Sequence, residues 1–263
     1  MASPSPRLSA PELGDHYYGV VAEGYDVYLG AVDFGDQAFF RGLVGGARGG
    51  ALELACGTGR LLVPYRRDGL DVEGLDASAD MLAICRRKAL AAGCEVALHL
   101  AAMEFFRLPR RYGAIYCPVG SLCLLTSPAA LEAALRASFD HLHPGGSLAL
   151  SLCQPMPPSA DGARRLAREG RRASDGAMFR VWSEALPPPS PGVTRSRSIH
   201  EATIGDRLLA RDSFLFDLRP LAPEEAAARL AAAGFTQIAF AGASGGPMSE
   251  SDEDYLATAI RPA

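Results

Sequence analysis

The sequence predicts an α/β fold: a mostly parallel seven-stranded sheet with helices on both faces, plus a small antiparallel β insertion that forms a lid. Three observations predict it. Between residues 51 and 153, short apolar runs alternate with helical patterns at the spacing of βαβ units. From 178 to 219, three strand-like runs are separated by turn signals, which suits antiparallel hairpins. A further helix and two strands then close the chain. The 263 residues suit one large domain with an insertion, and 48% hydrophobic residues can support a core, which argues against disorder.

Residues 1–12 are rich in Pro and Ser and are expected to fray. A helix over 11–29 carries Tyr17, Tyr18, Val21, Tyr25 and Tyr28, with Tyr18, Val21 and Tyr25 on one face. A second helix, 36–44, ends at the glycines of 45–50. A strand over 51–55, a glycine turn at 57–59 and a helix over 61–67 follow. The strand 72–75 leads into Asp76 and a helix over 78–92. Strands are expected at 96–100 and 114–118, a helix at 128–141, and a strand at 147–153 after the turn His143-Pro144-Gly145-Gly146. Residues 155–177 read as a loop with a basic helical stretch over 163–172, its arginines forming a solvated face. Strands follow at 178–186, 193–203 and 208–219, then a helix at 223–233 stopped by Gly234 and strands at 236–241 and 255–261.

A net charge of −4 argues against nucleic acid as a partner, because phosphate binding needs a concentrated basic face. Lys88 is the only lysine among 26 basic residues, a skew that reads as genome composition rather than arginine chemistry. The N-terminal residues lack the basic and apolar regions of a secretory signal, and no window approaches a membrane span. Six cysteines form no CxxC pair or Cys/His spacing for a metal and read as buried thiols in a reducing cytoplasm. No metal, membrane or nucleic acid is therefore expected, and the location expected is cytoplasmic.

The chemistry is concentrated at one turn. Gly57 and Gly59 join a strand to a helix, where positive φ is tolerated and a ligand can approach backbone amides. Asp76 lies 17 residues after Gly59, at the end of the next strand, placed to accept both hydroxyls of a ribose. A nucleoside-containing cofactor follows. The dinucleotide fingerprint needs a third glycine where Leu62 stands, Glu53 fits a pyrophosphate poorly, and the lysine of a phosphate loop is absent.

Glu53-Leu-Ala-Cys-Gly-Thr-Gly59 closely resembles motif I of the class I S-adenosylmethionine-dependent methyltransferases. The resemblance continues through Gly74-Leu-Asp76 to Leu82, residues 112–125, the His143-Pro-Gly-Gly146 turn, and Pro223-Glu-Glu to Phe235. It implies a Rossmann-like fold and S-adenosyl-L-methionine as cofactor. Domain organisation follows: an N-terminal tail and lid helix over 1–35, a cofactor-binding core over 36–154, an insertion and acceptor lid over 155–219, and completion of the core sheet over 220–263.

The resemblance also implies roles. Ala55, Gly57 and Gly59, with Glu53 in the motif, would pass under the methionine part of the cofactor. Asp76 would hold the ribose, and Ala77 and Met81 would flank the adenine. Similar enzymes often carry Asp at the position of Ala102, so adenine recognition would rest on the Met103 amide and on packing. Cys117 to Ser121 would line the methyl-transfer face. The tyrosines would form a lid: Tyr18 on the cofactor, Tyr17 on the acceptor, and Tyr25 and Tyr28 on the cofactor carboxylate or acceptor. His16 beside them is read as solvated.

Outside the motifs, alternation along 193–203 puts His200 on the face of Thr194, Ser196 and Ser198, opposite Glu201. If that face meets the cleft, His200 is a general base with a pKa suited to neutral pH. Trp182, Phe214 and Phe216 form either an aromatic wall for the acceptor or the insertion's own core. These features point to methyl transfer to a small, aromatic or heteroaromatic metabolite at N, O or C, including indole carbon, by a monomer or homodimer. The alternatives are a non-methylating enzyme that binds the same cofactor, such as a cyclase, and a non-catalytic partner protein on a degenerate core.

Overall fold

The core grows outward from Ala51–Leu54 (β1), whose four residues are all buried. In the computed structural model, which describes residues 17–29, 32–155, 162–249 and 252–263, β1 pairs in parallel with Val72–Asp76 (β2) and Tyr112–Cys117 (β4). His16 and the expected helix start at 11–16 lie outside the described residues. Leu98–Leu100 (β3) extends the sheet beyond β2, and Leu142–Cys153 (β5) extends it beyond β4. Asp254–Ile260 (β11) runs antiparallel to β5, and Thr236–Gly242 (β10) antiparallel to β11, giving the order β3-β2-β1-β4-β5-β11-β10.

Both faces of this sheet are covered, so its inner strands are apolar on both sides. Leu52 and Leu54 point to the face occupied by Pro128–His141 (α5) and Pro223–Ala232 (α6). Ala51 points the other way, toward Gln37–Gly46 (α2), Leu62–Arg67 (α3) and Ala79–Ala91 (α4). A 3₁₀ turn at Ser121–Leu124 follows β4. Strand β5 begins at Leu142, before the turn expected to precede it, because Leu142 already pairs with Tyr112.

The insertion is a second, four-stranded antiparallel sheet in the order β6-β7-β8-β9: Arg164–Arg171, Met178–Leu186, Thr194–Ile204 and Arg207–Leu218. The first of these corrects the sequence reading, which made 163–172 a helix. Arg, Leu and Ala favour a helix locally, but pairing of Arg164 with Glu184 through Arg171 with Met178 overrides that preference.

Helix Gly19–Leu29 (α1) packs on this sheet, and two glycines set the distance. A Cβ on Gly24 would lie 2.5 Å from the Phe179 ring, and one on Gly170 would lie 2.3 Å from the Val27 carbonyl oxygen. Tyr28, Phe179, Val181 and Ala202 form a small shared core. The N-terminal helix and the insertion are therefore one lid. It is fastened to the core through Asp26, which accepts from Thr58 Oγ1 at 2.6 Å and from Lys88 Nζ at 2.8 Å. Asp80 accepts from Gly19 N at 2.8 Å, and the Ser78 hydroxyl donates to the Tyr17 carbonyl. The chain's single lysine thus serves the lid.

Candidate active site

Past β1 the backbone turns through left-handed conformations at Ala55 (φ 52°), Gly57 (φ 54°) and Gly59 (φ 80°). The two glycines do different work. A Cβ on Gly57 would meet only the Met81 methyl at 3.5 Å, so the turn there is open. A Cβ on Gly59 would lie 2.6 Å from Cys85 Sγ and 2.7 Å from Val63 Cγ2, so Gly59 lets α3 and α4 close on the turn.

Asp76 ends β2 beside Gly57. Its Oδ2 accepts from Gly57 N and its Oδ1 from Ser78 N, both at 2.8 Å. Burial raises its pKa above the usual carboxylate value, and these amide bonds pull it back down. The carboxylate lines a cavity of about 1090 Å³. Gly57 and Ala55 line one end of that cavity. Ala77, Met81, Ala101, Ala102 and Met103 give it an apolar wall, and Tyr17, Tyr25 and Phe216 close it from the lid.

A second cavity of about 1020 Å³ lies between the core and the lid sheet. Tyr17, Tyr25, Ser121, Leu124 and Phe216 line both cavities, so the two meet at those side chains. Its rings form a chain: Tyr17 to Tyr25 (5.8 Å between centroids), Tyr25 to Tyr28 (5.9 Å), Tyr28 to His200 (5.9 Å), and His200 stacked on Phe214 (5.4 Å). Ser183, Ser196 and Ser198 add a row of hydroxyls, and Arg168 lines the same cavity.

Burial dominates the electrostatics here. It pushes the Tyr25 hydroxyl up to about 12, and Tyr17 and Tyr28 also rise, so all three remain protonated donors at neutral pH. It lowers His200 to about 4. His200 Nε2 meets Ser198 Oγ at 2.9 Å, while Nδ1 is buried without a hydrogen-bond partner. The expectation of a titration near neutrality is therefore corrected: this imidazole is uncharged and weakly basic, because solvent cannot stabilise its cation.

Comparison with known proteins bears directly on this geometry. Residues 51–146, from β1 to the turn within β5, match the family model of the methyltransferase domain. These residues are a methyltransferase domain, on the fold of the class I S-adenosylmethionine-dependent methyltransferases.

The chain is 41% identical over 95 residues to the dTDP-3-amino-3,6-dideoxy-alpha-D-glucopyranose N,N-dimethyltransferase of Streptomyces fradiae, a match that spans 36% of each protein. It is 29% identical over 164 residues to the dTDP-3-amino-3,4,6-trideoxy-alpha-D-glucopyranose N,N-dimethyltransferase of Streptomyces venezuelae, covering 58% of this chain and 68% of that one. Among solved structures, the sugar N-methyltransferase KedS8 from Streptoalloteichus sp. ATCC 53650 shares the architecture with a TM-score of 0.69 and 26% identity. That likeness covers 100% of this chain and 99% of the other.

The residues of this methyltransferase core fit the cofactor. The paired oxygens of Asp76 suit a ribose diol, the open turn at Gly57 suits a chain passing close to backbone, and the Ala77, Met81, Ala102 and Met103 wall suits a planar base. Tyr17 and Tyr25 line both cavities where they meet.

Five expected site residues stand elsewhere. Glu53 is buried behind the turn on the α2 face of the sheet, where Tyr116 Oη donates to it at 2.7 Å; burial raises its pKa to about 8. Gly59 is a packing glycine. Cys117 is fully buried in the core under α5. Tyr18 is exposed at the start of α1 and lines neither cavity. Trp182 lies on the far face of the lid sheet, because it pairs with Ile199 while its neighbours Val181 and Ser183 pair with His200 and Ser198. Its indole N–H donates to Glu201 at 3.0 Å and Arg164 stacks on its ring.

Arg168, Leu124 and Glu104 were not anticipated as site residues. Arg168 was hidden by the helical reading of β6. Leu124 belongs to the 3₁₀ turn, which no periodicity announces. Among the described residues, no group of three His, Cys, Asp or Glu side chains is placed to hold a metal ion, and no helix is long and apolar enough to cross a membrane.

Proposed function

We propose that this protein transfers methyl groups from S-adenosyl-L-methionine to the amino group of a small amino-sugar metabolite. The observation that carries this reading is the second cavity. It opens onto the cofactor cavity across Tyr17, Tyr25 and Phe216, and it combines ring faces with three serine hydroxyls. Rings suit the C–H faces of a sugar and the serines suit its hydroxyls. The relatives named above act on amino sugars, which supports nitrogen as the acceptor atom; methylation of an indole or other aromatic carbon has no such support.

When bound, the cofactor supplies a methyl group already activated on a sulfonium, so alignment and exclusion of water suffice for much of the catalysis. Asp76, Gly57 and Met81 hold the donor. Tyr25 and Tyr28 remain protonated and present hydroxyls and ring faces to the acceptor. His200 acts as an uncharged acceptor: a free ring nitrogen takes a hydrogen bond from the amine N–H and orients the lone pair for attack. Its low basicity leaves the proton of the substrate ammonium to solvent, before the amine enters the cavity. Phe214 and Ser121 shape the pocket around that amine.

The test is mass spectrometry of products formed with S-adenosylmethionine and a panel of amino sugars (free and nucleotide-linked), phenols and indoles. One or two added CH₂ units on an amino sugar are expected. Addition to phenols or indoles alone would overturn the amino-sugar assignment, and a rearranged product without added mass would favour a cyclase. Absence of any product or of cofactor binding would favour the non-catalytic reading.

A further inference from the structure

Three carboxylates line the cofactor cavity among the described residues: Asp76, Asp217 and Glu104. Two are engaged. Asp76 accepts from Gly57 N and Ser78 N, and Asp217 is held by Arg195 through two hydrogen bonds of 2.7 and 2.6 Å. Glu104 differs. It is only 6% exposed, yet its Oε2 has no hydrogen-bond partner. Arg107, Arg136 and Arg229 share a neighbouring groove with Glu104, but none pairs with it. A buried carboxylate oxygen left unpaired is costly, and burial accordingly raises the pKa of this group.

Its position suggests what satisfies it. With the ribose on Asp76 and the methionine part over Gly57, the base extends along Ala77, Met81, Ala102 and Met103. Those side chains offer no hydrogen-bond acceptor. The exocyclic amino group of adenine brings two N–H donors into that apolar end, where they too require a partner. Glu104 follows Met103 in the chain and lines the same cavity, and among the described residues of that lining it holds the one carboxylate oxygen that is buried without a partner.

We propose that Glu104 reads the base of the cofactor, its free carboxylate oxygen accepting the 6-amino group of adenine in the place where Ala102 offers nothing. The assignment rests on the cofactor reading above. It makes Glu104 a specificity residue: a 6-oxo base would set a carbonyl oxygen against a carboxylate oxygen, with no proton between them.

Calorimetry on the full chain tests this with S-adenosylhomocysteine and its 6-oxo counterpart, in which inosine replaces adenosine. The unaltered protein should bind the amino form at least about tenfold more tightly, the scale of one hydrogen bond to a charged group. Glu104→Gln, whose amide presents both an oxygen and an NH₂, should bind the two within about threefold. Glu104→Ala should lose about tenfold for the amino form and little for the 6-oxo form.

Both variants without ligand should melt no lower than the parent, since an unpaired buried carboxylate has been removed; that separates lost recognition from lost folding. Discrimination unchanged in both variants would overturn the role of Glu104. Failure of the unaltered protein to bind either ligand would overturn the cofactor reading and this assignment with it, and it would be seen before any variant was made.

Discussion

Replacing Asp76 by Ala separates the two tasks of that carboxylate. In the ligand-free fold it accepts from Gly57 N and Ser78 N, each at 2.8 Å, and so ties the end of β2 to the turn after β1. Ala leaves both amides without that acceptor. Because they border an open cavity, water reaches them, and the cost should lie near the low end for unsatisfied donors, about 1 kcal/mol each. Removing a buried carboxylate offsets part of it, since burial already raises the pKa of Asp76. A net loss of about 1–2 kcal/mol in stability is expected by urea denaturation.

Cofactor affinity should fall further, because two ribose hydroxyls lose a charged acceptor. At about 1–3 kcal/mol the dissociation constant rises roughly 5- to 150-fold. Calorimetry with S-adenosylhomocysteine and its 2′-deoxy analogue isolates the effect: the unaltered protein should penalise the deoxy compound, and Asp76→Ala should not. Equal affinity of both proteins for S-adenosylhomocysteine would remove Asp76 from the ribose site.

Two further predictions concern packing and pH. Gly59→Ala sets a Cβ 2.6 Å from Cys85 Sγ in a backbone at φ 80°, and should cost about 2 kcal/mol or more in chemical denaturation; a loss under about 0.5 kcal/mol would mean the turn relaxes freely. His200 titrates near 4 when folded and near 6.5 when unfolded, so the unfolded chain binds more protons between those values. Stability should therefore rise with pH across that window and fall on acidification, by about 3 kcal/mol from this group. His200→Phe should remove that part of the slope in denaturation curves taken from neutral pH to 4, and identical slopes in the two proteins would contradict the burial of an uncharged imidazole.

The core and its turn were legible in the sequence because their signals are local. Apolar runs buried on both faces mark β1, β4 and β5, a glycine turn follows β1, and a carboxylate ends β2; each is set by a few adjacent residues. The same local logic assigned Gly57 and Asp76 to the cavity. It failed for Glu53 and Gly59, which belong to the same motif, because whether a motif residue faces a ligand or a neighbouring helix depends on what packs behind it. Cys85 and Val63 decide that for Gly59, and Tyr116 decides it for Glu53.

In the lid, tertiary structure decided nearly everything. Alternation put His200 and Glu201 on opposite faces of β8, yet it left open which face met the core, and it could not relate Trp182 to either. The residues between β7 and β8 form too long a connection to set the register by turn geometry. Register is fixed instead by pairing, Val181 with His200 and Trp182 with Ile199, and by α1 closing on Phe179 and Gly170. A slip of β8 by one residue would exchange the histidine for the carboxylate in the cleft and leave the tryptophan on the far face. The sequence by itself thus determined where a nucleoside cofactor fits, through periodicity and turn chemistry within single segments. Which side chains face the acceptor was decided only when strands distant in the chain found their partners, because a strand has two equivalent faces until something is packed against one of them.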